Sequence, residues 1–114
     1  MGDEVGINQL NKIIEELKRH EERFIIAGDL NYPDNSDEIK YLKKYVYSFA
    51  DLAHVDPNKN PTFHFNLDNV NENNSNRMID YIFTNMMCEV KNFELVFDKP
   101  SDYVSDHSGI YLEI

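Results

Sequence analysis

Three short stretches of this sequence combine residue types that can move a proton or hold a cation. In the first, Gly28-Asp29-Leu30-Asn31 closes an apolar run. Side chains two apart in an extended strand project to one side, so Asp29 and Asn31 would face one cleft if that geometry persists. A carboxylate there can hold or deprotonate a water or ligate a metal, and a neutral amide can donate to an oxygen on which negative charge builds. The same four residues also read as an Asp/Asn turn that ends the strand and opens the Tyr32-Pro33 loop.

The second stretch is Met78-Ile79-Asp80-Tyr81-Ile82-Phe83, where Asp80 interrupts an apolar run and shares a face with Met78 and Ile82. A carboxylate in that setting is unfavourable unless it is paired or hydrogen-bonded. A histidine would suit it, because the acid fixes the imidazole tautomer and favours its protonated form. A salt bridge to Arg77 or a cap on a neighbouring loop would satisfy it too. The third stretch, Ser105-Asp106-His107-Ser108-Gly109, supplies a histidine just before the last apolar run, beside a carboxylate suited to a hard cation such as Mg²⁺. Loop placement favours a functional role, although a solvated Asp-His pair before a strand is also an ordinary surface feature.

The remaining chemistry-bearing residues point elsewhere. His20 ends a helix, where a cation is favoured, and His54 and His64 flank a turn-rich segment, so structural or solvent roles are expected for all three. Cys88 is the single cysteine, which rules out an internal disulfide, and its neighbours Met87, Val90 and Phe93 suit a small buried hydrophobe without an evident base. The acidic stretches Asp34 to Glu38 and Asp68 to Glu72 lack the central glycine and terminal glutamate of a calcium loop. Asn73-Asn74-Ser75 matches a glycosylation acceptor, which carries little weight without an export signal.

The elements that must position these stretches follow from periodicity. Leu10, Ile13, Ile14 and Leu17 recur on one helical face, giving a helix from Ile7 to His20. Phe24-Ile25-Ile26-Ala27 is too short for a helix and fits a strand buried on both faces, with Gly28 releasing the backbone after it. A second helix is expected from Asp37 to Tyr47, capped by Asn35 or Ser36, with Ile39, Leu42, Val46 and Phe49 on one side. Thr62 to Phe65 reads as a short strand, Asn66 to Asn76 as an Asn-rich surface loop, and Arg77–Thr84, Glu89–Phe97 and Gly109–Ile114 as strands. Helix, strand, helix, then several strands implies an α/β or α+β layered fold.

At 114 residues the chain allows one compact unit, and a formal net charge of -10 disfavours broad electrostatic capture of nucleic acid. A bound divalent cation can still reverse the field locally at an acidic site. No secretory signal, myristoylation pattern or membrane-length apolar run is visible, so a soluble, intracellular protein is expected.

Taken in order, Phe24 to Asn31, Ile79-Asp80-Tyr81-Ile82 and Ser105-Asp106-His107 resemble three motifs of the endonuclease/exonuclease/phosphatase superfamily. This group includes DNase-I-like nucleases, abasic-site endonucleases, inositol phosphatases and neutral sphingomyelinases. The resemblance implies a four-layer α/β sandwich and metal-assisted phosphoester hydrolysis. By it, Asp29 would orient or activate the attacking water, Asn31 would steady the phosphoryl group, and Asp106, with Asp29, would help hold Mg²⁺ or Mn²⁺. His107, oriented by Asp80, would act as general base or as a donor to the phosphate, the base being either Asp29 or His107.

Two positions depart from the family pattern: Met78 stands where arginine is frequent, with Arg77 one place earlier, and Gly109 where proline is common. Family domains are about twice this length, so residues 1–114 are expected to be the C-terminal half of the domain, with one mostly antiparallel sheet and covering helices. The other half would bring the principal metal-binding glutamate, an early asparagine and a further catalytic residue. The expected substrate is a nucleic acid, a phospholipid or a small phosphodiester, and a complementary N-terminal half is an expected partner. The competing expectation is a non-catalytic remnant or interaction module of the same fold.

Overall fold

A computed structural model describes residues 4–64, 77–99, 101 and 103–114. The chain runs through α1 (Glu4–Lys18), β1 (Ile25–Asp29), α2 (Asp37–Leu42), β2 (Tyr47–Ser48), α3 (Phe49–Leu52), β3 (Asp80–Thr84), β4 (Asn92–Val96) and β5 (Gly109–Glu113). Pairing is antiparallel throughout and falls into two ladders, β1-β3-β2 and β4-β5. Among the described residues no helix is long and apolar enough to cross a membrane. Phe65, the loop expected at Asn66 to Asn76, the acidic stretch Asp68 to Glu72 and the acceptor Asn73 lie outside the described residues.

The expected apolar stripe of α1 is the one that packs. Leu10 and Ile14 are buried with Ile39 and Leu42 of α2, and together they meet Tyr81 and Phe83 of β3, whose rings stack 5.3 Å apart. Alternation along β3 sends Asp80 and Ile82 to the opposite face. In the β1-β3 register Asp29 pairs with Asp80, Ala27 with Ile82 and Ile25 with Thr84, and directly opposed residues share a side. The three-stranded sheet thus has one helix-covered face and one face that ends in two carboxylates.

The second helix ends earlier than its periodicity suggested. Ser36 caps α2 by accepting from Ile39 N at 3.2 Å, but the helix stops at Leu42. Tyr45 and Val46 turn back to the Leu42 carbonyl, and Tyr47-Ser48 then pairs with Thr84 and Phe83. Aromatic and β-branched residues at 45–47 favour that exchange of helix for ladder. Ile39, Leu42, Val46 and Phe49 are nonetheless all buried, so their shared apolar character belongs to two helices and the bend before β2.

The first strand differs more. It was expected to be buried on both faces, yet β1 is an edge strand, and Ile25 is 50% exposed on the face away from the helices. The expected strands at the C-terminal end are shorter than their apolar runs, and at Thr62 to His64 two isolated bridges, from Phe63 to Arg77 and to His107, replace a strand. Cys88 is half-buried rather than sealed in the core.

Candidate active site

The β1-β3 register places Asp29 and Asp80 at the same end of neighbouring strands. The loop before β5 brings His107 to them. Its Nδ1 donates to Asp80 Oδ2 at 2.8 Å, and its Nε2 lies 3.8 Å from Asp29 Oδ2. Asp80 therefore pairs with His107 and not with Arg77, which is exposed and whose main chain bridges to Phe63. The His107 ring also tilts against Phe63 at 5.2 Å.

This setting raises the His107 pKa above its ordinary value. The hydrogen bond to Asp80 is the main cause; partial burial opposes it, and the charges of Asp80, Asp29 and Asp106 add to it. With Nδ1–H committed to Asp80, the neutral ring presents Nε2 as its proton acceptor.

The backbone around the three side chains is closely tied. Thr62, fully buried, accepts from both Ile79 N (3.0 Å) and Asp80 N (3.1 Å) through one hydroxyl. Its carbonyl accepts from Ser108 N at 2.7 Å, next to His107. Tyr81 OH, its pKa driven up mainly by burial, donates to the carbonyls of Tyr32 and Met78, linking β3 to the loop after Asn31. Farther along that loop, Asp34 pairs at 2.7 Å with Nζ of Lys43, the residue that ends α2, which also meets Asp51 at 2.8 Å.

Asn31 and Asp106 sit differently from the other three. Extended geometry ends at Asp29: Asn31 has φ 60°, the left-handed region that Asn tolerates, and its N–H donates to Asp29 Oδ1 at 2.9 Å. Asp29 and Asn31 are therefore not on one strand face, and the Asp/Asn turn reading describes the backbone here. None of the described glycines has a positive φ, so the backbone freedom expected at Gly28 is used at Asn31. The Asp106 carboxylate accepts from Ser105 Oγ at 3.3 Å, and its main-chain oxygen from His64 N.

Among the described residues, one group could hold a metal ion: Asp29, Asp80 and His107, each offering a ligand atom within 4.8 Å of the others. Asp106 is outside it. Two carboxylates and an imidazole are ordinary donors for a divalent cation. The 3.8 Å between Asp29 Oδ2 and His107 Nε2 fits two ligands of one ion, since bonds of about 2.0–2.2 Å set opposed ligands roughly 4 Å apart. An open depression of about 240 Å³ adjoins the group, lined by Ala27, Gly28, Ile82 and Ile110 as well as Asp29 and Asp80.

Sequence reasoning singled out the three converging residues but not their supports. Thr62 is marked by the sequence only as the start of an expected strand, and of the structural or solvent roles expected for His64 the structural one holds. It is buried, with ring nitrogens bonded to Ser108 Oγ and the Tyr103 hydroxyl. No spacing rule predicts such contacts, although a histidine next to aromatic residues and a proline is a weak hint of burial.

A mixed α/β frame that presents an acid-histidine pair and a second carboxylate at adjacent strand ends defines a class of potential hydrolytic proteins. The chain matches the model of the Endonuclease/Exonuclease/phosphatase family over residues 3–107, and it belongs to that family. Family members hydrolyse phosphoesters, are generally dependent on a divalent metal, and have the DNase-I-like fold; the antiparallel ladders with covering helices agree with part of such a domain. Neither curated proteins nor solved structures gave a match.

Proposed function

We propose that this chain carries part of the active site of a divalent-metal-dependent phosphoester hydrolase, and that residues 1–114 are a partial domain of that kind. One observation supports the reading above others: Asp80 holds His107 by Nδ1 while Nε2 faces Asp29. A water lying between Asp29 and Nε2 would be oriented by the carboxylate and lose its proton to the ring. Its oxygen would then attack phosphorus in line with the departing alkoxide. Asp80 stabilises the imidazolium so formed. Asn31, on the turn that Asp29 caps, supplies an amide donor for a phosphoryl oxygen.

Asp29 is common to the motif-derived ligand pair with Asp106 and to the geometric group with Asp80 and His107, so it is the anchoring ligand for Mg²⁺ or Mn²⁺. When bound, the ion offsets negative charge on the phosphoryl oxygens. The substrate class is a phosphodiester, of nuclease or sphingomyelinase type; the net charge of -10 weakens the nuclease case for this surface. Ile25 and Ala27, exposed beside the site, support a complementary half covering that face.

The same exposed face favours a second reading, an interaction module that keeps the site residues without turnover. Hydrolysis of an aryl phosphodiester, measured with Mg²⁺ or Mn²⁺ by the chain alone and with a family N-terminal half, separates the two. Metal-dependent hydrolysis on adding the half supports the enzyme; inactivity under both conditions supports the module. Activity of the chain alone would overturn the partial-domain reading.

A further inference from the structure

The mechanism above leaves one buried imidazole without a task. His64 is 3% exposed, and both ring nitrogens are engaged: Nε2 lies 2.8 Å from Ser108 Oγ and Nδ1 3.2 Å from the Tyr103 hydroxyl. The ring stacks on Tyr103 with centroids 4.6 Å apart. Its main-chain N–H donates to the Asp106 carbonyl at 2.7 Å. Asp106 and Ser108 are the two chain neighbours of His107, so His64 grips the loop on both sides of that residue and again at Tyr103.

We propose that His64 is a positioning residue, which sets the angle at which the loop presents the His107 ring to Asp80 and Asp29. This rests on the reading of His107 as a reacting group. The His107 side chain is 31% exposed, and beyond its hydrogen bond to Asp80 and its contact with the Phe63 ring its restraint comes from its backbone. That backbone is tied by the Phe63–His107 bridge and the Ser108 N–H bond to the Thr62 carbonyl. The His64 ring adds side-chain restraint at Ser108 and Tyr103, where a misplacement of about 1 Å would already slow proton transfer. An apolar side chain at 64 would fill the same space. Only a ring with polar atoms at two corners can also fix Ser108 and Tyr103 in direction. Both hydroxyls donate or accept, so either tautomer of a neutral imidazole satisfies them. Burial lowers the His64 pKa and keeps the ring in that neutral form.

The test uses the full chain labelled with ¹⁵N in its histidine rings. His64→Phe keeps the ring volume and the stacking on Tyr103 but removes both polar bonds. His64→Gln restores an amide near the Nε2 position. In His64→Phe the hydrogen-bonded Nδ1 proton of His107 should exchange with solvent about tenfold faster or more, and His64→Gln should recover most of the protection. In hydrolysis of an aryl phosphodiester with Mn²⁺ by the chain completed with a family N-terminal half, kcat should fall about tenfold at little-changed KM, with rescue by His64→Gln. A folded His64→Phe variant with unchanged His107 exchange overturns the proposal. If His64→Phe does not fold, Ser108→Ala decides, since loss of that hydroxyl alone should accelerate exchange in the same sense, and no change there overturns it equally. A chain without hydrolysis under any condition would sink the enzymatic reading, while the exchange measurement would still decide the role of His64.

Discussion

Asp29 and Asp80 are opposed partners in the β1-β3 ladder, and their carboxylates share the sheet face that the helices leave uncovered. Two acids so placed repel unless a positive charge lies between them. The His107 ring supplies one when protonated, with a nitrogen toward each acid. A divalent ion would supply another, and much of the expected behaviour follows from that competition.

In the chain completed with a family N-terminal half, replacing Asp80 with Asn should move the acid limb of the pH-rate profile to lower pH. The Asp80 hydrogen bond is the largest cause of the raised His107 pKa, so its loss lets the ring relax toward its ordinary value of about 6.5. Maximal rate should also fall, by about tenfold or more, because the amide no longer enforces the tautomer that leaves Nε2 as acceptor. An acid limb that stays in place would mean that His107 is not the base.

The same pair makes a signed contribution to stability. Because the folded-state pKa of His107 is raised, the native state binds the proton more tightly than the unfolded chain. The stabilisation is therefore complete below about pH 6.5 and is lost as pH rises through the folded value. Urea melts of the chain and of His107→Ala should converge toward alkaline pH and diverge below neutrality. His107→Ala should still fold, losing about 1 kcal/mol or less at neutral pH for a part-exposed pair, while turnover of the enzyme completed with a family N-terminal half drops by orders of magnitude. Unchanged turnover would remove His107 from the site.

Thr62→Val is expected to be costly for its size. The two side chains are nearly isosteric, but the valine leaves the Ile79 and Asp80 N–H groups without their shared acceptor in a buried setting. Each unsatisfied donor costs about 1–3 kcal/mol, so a loss of roughly 2–6 kcal/mol is expected in a denaturant midpoint analysed at constant slope. A loss below about 0.5 kcal/mol would show that Thr62 does not hold the strand.

How much of this was legible in the sequence varies with the range of the interaction. Asp80 was conspicuous because a carboxylate inside an apolar run demands a partner, and His107 was the candidate the resemblance ordered next to it. The stripe on α1 and the cap at Ser36 follow from spacing alone. The end of α2 did not, because Val46 and Phe49 keep helical spacing while the backbone between them turns into a strand. Nor did the conformation of Asn31: two residues after Asp29 face the same side only if the strand continues, and φ 60° ends it. Thr62 bonds a backbone N–H 17 residues away and His64 a hydroxyl 44 residues away, and a single sequence contains no signal for such pairings.

Metal binding should depend on pH through the contest between ion and proton. A cation held by Asp29 with Asp80 or His107 must displace the proton on a ring whose pKa is raised by Asp80 first and by Asp29 and Asp106 in addition. Apparent affinity should therefore fall as pH drops through that raised value, since metal ligation requires the neutral imidazole. Thermal melts report this directly, because a ligand at 100 times its Kd stabilises the native state by about 2.7 kcal/mol. Mn²⁺ should raise Tm at pH 8, lose most of the effect by pH 5.5, and lose it at every pH in Asp29→Asn; a chelator should reverse it. Asp106→Ala distinguishes the two ligand sets: an undiminished shift assigns the ion to Asp29, Asp80 and His107, and a vanished one assigns it to the pair Asp29 and Asp106. A shift that survives in Asp29→Asn would place the ion elsewhere and remove the common anchor of both.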